Sequence, residues 1–205
     1  MLVWSPRLTY STRSSHCHHS VHRRSERLRA AFFQLARGVC RLHDANIIHR
    51  DLKPSNVLVT ATGRVVVLDF GLARELAPAA SGTRPESIAG SPPYMSPEQW
   101  SQQPLTTATD WYSVGVMLFE ALTGVRPFSG SPQKIIASQQ LGAPPISDWV
   151  LDIPADLEAL CRELLDPNPR ARPSGDEVLR RLDRSREFTK PQGIVHVHHQ
   201  TIRAS

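Results

Sequence analysis

Residues 49–56 read His-Arg-Asp-Leu-Lys-Pro-Ser-Asn and follow directly on an apolar pair, Ile47-Ile48. Two β-type runs come next, Val57-Leu58-Val59 and Val65-Val66-Val67-Leu68, and the four residues that follow the first of them include a glycine. Short β-branched runs joined by a glycine-containing turn are typical of a β-hairpin, in which glycine supplies the positive φ. The sequence therefore predicts a small antiparallel ribbon directly after this polar stretch.

Four side chains in and beside these segments carry acidic, basic or amide groups. Asp51 precedes Asn56 by five residues, and Asp69 directly follows the second β-type run. A tight hairpin would bring these three residues to one end of the ribbon. Transfer of a phosphoryl group needs a carboxylate to accept the proton of the attacking hydroxyl, a cation to neutralise phosphoryl oxygens, and oxygen ligands for Mg²⁺. Asp51 is the predicted base, Lys53 the predicted cation, and Asn56 and Asp69 are the predicted metal ligands.

Three later segments complete a pattern found in one known family. They read Ser-Pro-Pro-Tyr-Met-Ser-Pro-Glu (91–98), Asp-Trp-Tyr-Ser-Val-Gly (110–115) and Asn-Pro-Arg-Ala-Arg-Pro (168–173). Together with residues 49–56 and 69–71, they resemble the motifs of eukaryotic-type serine/threonine protein kinases in sequence, order and spacing. The resemblance covers about residues 27–184 and has a bacterial character at 97–99, Pro-Glu-Gln. It departs from the family at Ser96, where alanine is usual.

The resemblance implies a mainly α (α+β) fold, namely the large C-terminal lobe of a protein kinase, a helical bundle with a small β-ribbon. It also implies transfer of the γ-phosphoryl group of ATP to a serine or threonine hydroxyl of a protein substrate, dependent on Mg²⁺. Asp51 and Lys53 are then the catalytic residues. The expected ATP contacts, with Leu58 beneath the adenine, come from Lys53, Ser55, Asn56, Leu58 and Asp69.

The same resemblance assigns residues to control and substrate positioning. Arg50 is expected to bind a phosphate on the following loop, because an arginine can pair with a phosphorylated side chain. The candidate acceptors are Ser81, Thr83 and Ser87, for which unmodified hydroxyls are the alternative. Ser91 is expected to contact both Asp51 and Lys53, and Tyr94 to lie in the same substrate-positioning segment.

Five residues are expected to have structural roles. His49 and Phe70 are expected to pack the motifs against the central helix. Asp110, at the start of that helix, is expected to cap backbone amides near His49. Glu98 and Arg172 are expected to form a buried ion pair.

Apolar periodicity predicts four helices, over residues 27–43, 110–123, 155–165 and 174–182. The last begins with Ser174 followed three residues later by Glu177, which is the pattern of a capping box. Residues 72–97 are predicted to form a long loop. The chain is thus divided into a disordered Ser/His/Arg-rich tail (1–25), a partial kinase domain (26–185) and an irregular C-terminal tail (186–205).

Charge and cysteine content exclude several other classes of protein. The net charge is +5, but six arginines and one acid within the first 30 residues account for all of it, so no basic face for nucleic acid is expected. Three cysteines are too few for a disulfide scaffold and favour a reducing, cytoplasmic location. The longest apolar run, 114–122, is too short to span a membrane, which needs about 20 residues.

The ATP-holding lobe of the family is expected to be missing. Only 25 residues precede the first predicted helical stripe, with no lysine and no G-x-G-x-x-G, whereas a five-stranded lobe needs roughly 60–70 residues. A real fragment, a misplaced start and a frameshift are all consistent with this shortfall. We therefore expect weak ATP binding by the chain alone.

Other interpretations of the chain stay open at this point. A non-catalytic docking fragment is the main alternative to an enzyme, and a small-molecule phosphotransferase is a third. For the N-terminal tail, the cluster His16-Cys17-His18-His19 could bind Zn²⁺, and the Arg- and Ser-rich composition is similar to an organelle transit peptide.

Overall fold

The computed structural model describes residues 2–3, 17–68, 74–75 and 90–183, with side chains described for 25–68 and 90–183. The helices in these ranges are α1 (Cys17–Asp44), α2 (Pro97–Trp100), α3 (Thr107–Thr123), α4 (Pro132–Gln140), α5 (Ala155–Leu164) and α6 (Gly175–Leu182). The strands are β1 (Leu2–Val3), β2 (Ile47–Ile48), β3 (Val57–Val59), β4 (Val65–Val67) and β5 (Arg74–Glu75). Short 3₁₀ turns lie at Pro54–Asn56, Pro92–Tyr94 and Ile146–Asp148.

The predicted ribbon is formed by β3 and β4. These strands pair antiparallel, with Val57 opposite Val67 and Val59 opposite Val65. Gly63 closes the turn by donating its amide to the Thr60 carbonyl at 2.9 Å, and its φ of +81° is the left-handed conformation that glycine adopts without strain. β1 pairs with the other edge of β3, and β2 pairs with β5. The predicted mainly α fold with a small ribbon is confirmed.

Helix α1 packs one face against the core. Phe32, Leu35 and Val39 lie on that face and are almost fully buried. The side chain of Gln34 joins the helix to the ribbon, because its amide nitrogen donates to the Gly63 carbonyl and its oxygen accepts from the Val65 amide. The helix therefore holds the hairpin turn in place.

Helix α1 begins at Cys17, ten residues before the predicted start at Arg27. The tail prediction is therefore wrong over residues 17–25, which are helical. A helix that has already formed gains one backbone hydrogen bond for each residue added, and arginine and serine tolerate helical geometry. Residues 17–25 contain one aliphatic residue, Val21, so apolar periodicity gave no signal for this extension.

Helix α3 forms the centre of the core and is buried nearly all round. Its N-cap is Thr106, whose hydroxyl accepts from the Ala108 amide, so the helix starts three residues before the predicted position. At Gly115 it approaches α5 so closely that a Cβ would lie 2.8 Å from Leu164 Cβ. A glycine is therefore required at this contact.

The two predicted C-terminal helices are present as α5 and α6, and a buried arginine holds α1 against them. Arg29, 2% exposed, donates to Asp156 Oδ1 and to the Arg181 carbonyl. Ser174 caps α6 by accepting from the Glu177 amide. The Glu177 carboxylate pairs with Arg180 and Arg181 instead of completing the predicted capping box.

Four further helices and strands of the described ranges were not predicted. β5 lies within the stretch predicted as a loop, α2 begins at the last residue of that stretch, and β1 lies in the predicted tail. The fourth, α4, has one strongly buried apolar side chain, Ile135. The available signal for α4 was its start, where the hydroxyl of Ser131 caps the helix and Pro132 occupies the first turn. Among the residues that the structure describes, no helix combines the length and apolarity needed to cross a membrane.

Candidate active site

The polar stretch at 49–56 is shaped by a carboxylate from the core helix. Asp110, which is fully buried in α3, accepts from the His49 amide at Oδ2 and from the Arg50 amide at Oδ1, both at 2.9 Å. Arg50 has a φ of +70°. This conformation costs a non-glycine residue on the order of 1–3 kcal/mol and persists only where surrounding contacts hold it. The turn before Asp51 is therefore fixed from the core.

His49 connects this turn to the end of β4. Its ring is fully buried, and Nδ1 accepts from the Asp51 amide at 3.4 Å. Nε2 therefore carries the proton and donates to the Leu68 carbonyl at 3.1 Å. The Leu68 amide in turn donates to the Asn56 carbonyl at 2.8 Å. Asp69 and Phe70, the next residues, lie outside the described part of the chain.

Asp51 is the centre of a cluster of charged and polar groups. Its carboxylate accepts from Lys53 Nζ at 2.7 Å and from the Ser91 amide at 2.8 Å. Lys53 Nζ also donates to Ser91 Oγ at 2.7 Å. Ser91 thus contacts both predicted catalytic residues. Hydrogen bonds to ionised groups are shorter and stronger than neutral ones, so this cluster is held rigidly.

Asn56 is oriented by Asp51. Its side-chain nitrogen donates to the Asp51 carbonyl at 2.9 Å and to Asp51 Oδ2 at 3.3 Å. The amide oxygen Oδ1 is thereby left for another partner, and no residue of the described ranges donates to it. An amide oxygen is a ligand that Mg²⁺ accepts, so Asn56 fits the predicted metal role. Among the described side chains, no group of three or more His, Cys, Asp and Glu residues could hold a metal by itself.

The remaining predicted ATP contacts lie nearby on the ribbon. Ser55 is exposed in the 3₁₀ turn before β3. Leu58 is half-buried on β3, paired with Val66 of β4 and Val3 of β1. The structure therefore places both residues on the same short segment as Asn56.

Tyr94 ties the segment after Ser91 to the central helix. Its hydroxyl donates to Glu120 Oε2 at 2.7 Å, and its carbonyl accepts from Ser113 Oγ at 2.8 Å. Burial, together with the hydrogen bond to the negatively charged Glu120, raises the pKa of Tyr94 well above its usual range. Tyr94 therefore stays protonated and acts as a donor.

Glu98 and Arg172 form the expected buried ion pair. Arg172 Nη1 lies 2.7 Å from Glu98 Oε1, and Nη2 lies 2.9 Å from Oε2, so the contact is bidentate. The guanidinium also donates to three backbone carbonyls, those of Ala108, Asp166 and Pro167. This one side chain thus links α2, the start of α3 and the loop before α6.

The pKa of Glu98 has opposing influences. Burial by itself raises it, but the hydrogen bonds from Arg172 and Thr109 and the charge of Arg172 hold it below its ordinary value of 4.5. A carboxyl whose pKa is depressed by folding stabilises the fold above its unfolded pKa, and this stabilisation is lost as the pH falls through the folded pKa.

We therefore expect the free energy of unfolding to fall as the pH is lowered from about 5 to about 3, and to fall less in Glu98→Gln. Urea unfolding at a series of pH values measures both slopes. Asp148→Asn, which changes an exposed carboxylate, is the control and should keep the wild-type slope. Equal slopes for Glu98→Gln and the wild type would contradict this assignment.

Three residues of the site were missed by reasoning from the sequence. His43 Nε2 lies 2.9 Å from Asp110 Oδ2, and its ring packs edge-on against Trp111. Glu120 accepts from Tyr94, and Gln99 donates to the Arg50 carbonyl at 2.9 Å. Glu120 gave the one available signal, because it is an acid within an otherwise apolar helix.

Comparison with known proteins identifies the class to which this fold and site belong. Residues 10–182 match the protein kinase domain, and this match covers most of the chain. The chain belongs to the protein kinase family.

Its relatives are serine/threonine kinases. The chain is 39% identical over 132 residues to the serine/threonine-protein kinase PknB of Mycobacterium leprae, which is 63% of this chain and 21% of that protein. It is 37% identical over 155 residues to AtPK2/AtPK19 of Arabidopsis thaliana, which is 72% of this chain and 31% of that protein. It is 38% identical over 152 residues to PknA of Corynebacterium glutamicum, which is 71% of this chain and 31% of that protein. The chain thus spans between 21% and 31% of the length of these relatives.

Proposed function

We propose that the chain carries the catalytic half of a serine/threonine protein kinase site and transfers the γ-phosphoryl group of ATP to a protein hydroxyl. The observation that supports this most directly is the cluster of Asp51, Lys53 and Ser91, with Asn56 oriented beside it. The serine/threonine kinases to which the chain is similar support the same activity.

Asp51 has room for one more hydrogen bond, which suits a base. An ionised carboxylate offers about four acceptor positions. Donors from the described residues take three of them, namely the Ser91 amide, Lys53 Nζ and Asn56 Nδ2. The fourth can accept the O–H of a substrate serine or threonine, so that Asp51 orients this hydroxyl and takes its proton as the new oxygen–phosphorus bond forms.

Lys53 and Asn56 would help to offset the negative charge of the phosphoryl group, Lys53 directly and Asn56 by binding Mg²⁺. The ammonium of Lys53 is kept in place by Ser91 and can neutralise a phosphoryl oxygen. Asn56, through Oδ1, and Asp69 are the proposed ligands of Mg²⁺. Bound ATP with Mg²⁺ would supply the phosphoryl group and the positive charge that offsets its oxygens. Ser55 and Leu58 are proposed to contact the nucleotide.

Supporting roles assigned from the sequence enter the proposal unchanged. Arg50 is proposed to bind a phosphate on the following loop, and the candidate acceptors in that loop lie outside the described residues. Tyr94 is proposed to help position the substrate. A cytoplasmic location stays a prediction from the cysteine content.

Asp51→Asn should lower phosphoryl transfer at least about 100-fold, because asparagine cannot take a proton and its NH₂ group would face the donors that hold Asp51. The measurement is the incorporation of label from γ-labelled ATP into a basic protein substrate in the presence of Mg²⁺. Asp148→Asn is the matched control, since it makes the same substitution at an exposed aspartate.

Transfer by the wild-type chain that disappears in Asp51→Asn supports the enzyme. Equal transfer by both would exclude Asp51 as the base. An absence of transfer by the folded wild-type chain would overturn the proposal and favour the non-catalytic docking fragment.

A further inference from the structure

Gln99 lies where three segments of the site meet. It belongs to α2 and is 5% exposed. Its side-chain oxygen accepts from the Ser96 amide at 2.9 Å and from Ser96 Oγ at 3.2 Å. Its nitrogen donates to the Arg50 carbonyl at 2.9 Å. Because a backbone amide can only donate and a carbonyl can only accept, the two ends of this side chain cannot be exchanged.

The Arg50 carbonyl belongs to the peptide bond that leads into Asp51. Arg50 adopts the left-handed conformation, with its amide held by Asp110 and its carbonyl held by Gln99. A planar peptide bond transmits any rotation of that carbonyl to the next residue. The direction in which Asp51 leaves the turn is therefore set partly by Gln99.

Gly90 lies against the same hydrogen bond. A Cβ at this position would be 3.2 Å from the Arg50 carbonyl oxygen and 3.3 Å from Gln99 Nε2. Its neighbour Ser91 donates to the Asp51 carboxylate. The hydrogen bond between Gln99 and Arg50 thus joins α2 to the turn that carries Asp51, and the backbone at Gly90 packs against it.

We propose that Gln99 is a positioning residue that holds the left-handed turn at Arg50 and so aims the Asp51 carboxylate at the substrate hydroxyl. This inference rests on the proposed function. It assigns Gln99 a role through Asp51 and no contact with substrate or nucleotide.

Gln99→Met tests the proposal, because methionine has a similar length and no hydrogen bond to offer. A misplacement of about 1 Å in a catalytic group can lower the rate about 100-fold. We expect kcat to fall about 10- to 100-fold, with KM for both substrates within about twofold of the wild type. The rate is divided by the concentration of folded protein, which circular dichroism gives. Gln103→Met, at an exposed glutamine four residues along, is the matched control and should keep the wild-type kcat.

A double variant separates positioning from a general structural effect. If Gln99 acts through Asp51, then adding Gln99→Met to Asp51→Asn should lower transfer no further, because residues that act as a unit are not additive. A further loss of the same factor, or a kcat for Gln99→Met equal to that of Gln103→Met, would overturn the proposal.

Hydrogen–deuterium exchange tests the geometry without activity. Gln99→Met should speed exchange in the peptide that covers residues 49–53, while a peptide from α5 exchanges as in the wild type. Unchanged exchange at 49–53 would overturn the positioning role. If the wild-type chain transfers no phosphoryl group but this exchange changes as expected, the proposed kinase activity fails and the hold of Gln99 on the turn stands.

Discussion

Arg172→Ala is expected to lower the free energy of unfolding by about 3–5 kcal/mol, because it leaves the buried carboxylate of Glu98 without its charge partner. The guanidinium also satisfies the carbonyls of Ala108, Asp166 and Pro167. For a domain of this size, a loss of 1 kcal/mol lowers Tm by about 2–4 °C. A fall in Tm of about 6–20 °C, with much of the protein recovered as insoluble material, is the expected result by thermal circular dichroism.

Two companion variants make this result specific to the ion pair. Arg170→Ala removes an exposed arginine two residues away and should leave Tm nearly unchanged. Arg172→Lys keeps the charge but offers three donors from one nitrogen instead of a planar guanidinium. Its Tm should therefore lie between those of the wild type and Arg172→Ala. A Tm for Arg172→Ala equal to the wild-type value would show that the pairing contributes nothing.

Asp110→Ala should destabilise the chain by a similar amount, about 2–6 kcal/mol, since each buried donor left without a partner costs about 1–3 kcal/mol. The amides of His49 and Arg50 both lose their acceptor, and His43 loses its carboxylate partner. Arg50 would also lose one of the contacts that hold its left-handed conformation. Urea unfolding, followed by circular dichroism, measures the change in the free energy of unfolding.

Asp110→Asn separates the shape of this side chain from its acceptors. Asparagine presents one oxygen and one NH₂ group to two backbone donors, so one donor is opposed by another. We expect Asp110→Asn to be nearly as unstable as Asp110→Ala, whereas Asp148→Asn should be neutral. A wild-type stability for Asp110→Asn would mean that the two amides find other acceptors.

Local patterns in the sequence were sufficient to predict most of the fold. The β-branched runs at 57–59 and 65–67 and the turn at Gly63 predicted the ribbon with its pairing. The apolar periodicities of α1, α3, α5 and α6 predicted the helices that share one core. These signals work because burial repeats with the period of the element. Where a helix packs little apolar surface, as in α4, or has few apolar residues in its sequence, as at positions 17–25 of α1, periodicity gave no signal.

The site was predictable where its residues belong to motifs with a fixed order. Residues Asp51, Lys53, Asn56 and Ser91 were expected together, and in the structure each of the other three hydrogen-bonds to Asp51. The contact of Asp110 with the turn was also expected.

The residues that hold these motifs in place were not predictable. His43, Gln99 and Arg29 meet partners 67, 49 and 127 residues away in the sequence, at Asp110, Arg50 and Asp156. Gln99 ends the Pro-Glu-Gln stretch at 97–99, but that stretch does not indicate its partner, and Arg29 and His43 lie in the polar positions of an amphipathic helix. Their roles depend on which helices pack together, and a single sequence does not reveal that arrangement.

The turn at Arg50 takes its shape from residues distant in the chain, because Asp110 holds its amide and Gln99 its carbonyl. A synthetic peptide of residues 47–59 would contain the base, the lysine and the asparagine but neither anchor. Such a peptide should relax to ordinary backbone angles and lose the alignment of its functional groups. Transferring residues 49–56 into another protein would therefore require transferring Asp110 and Gln99 as well.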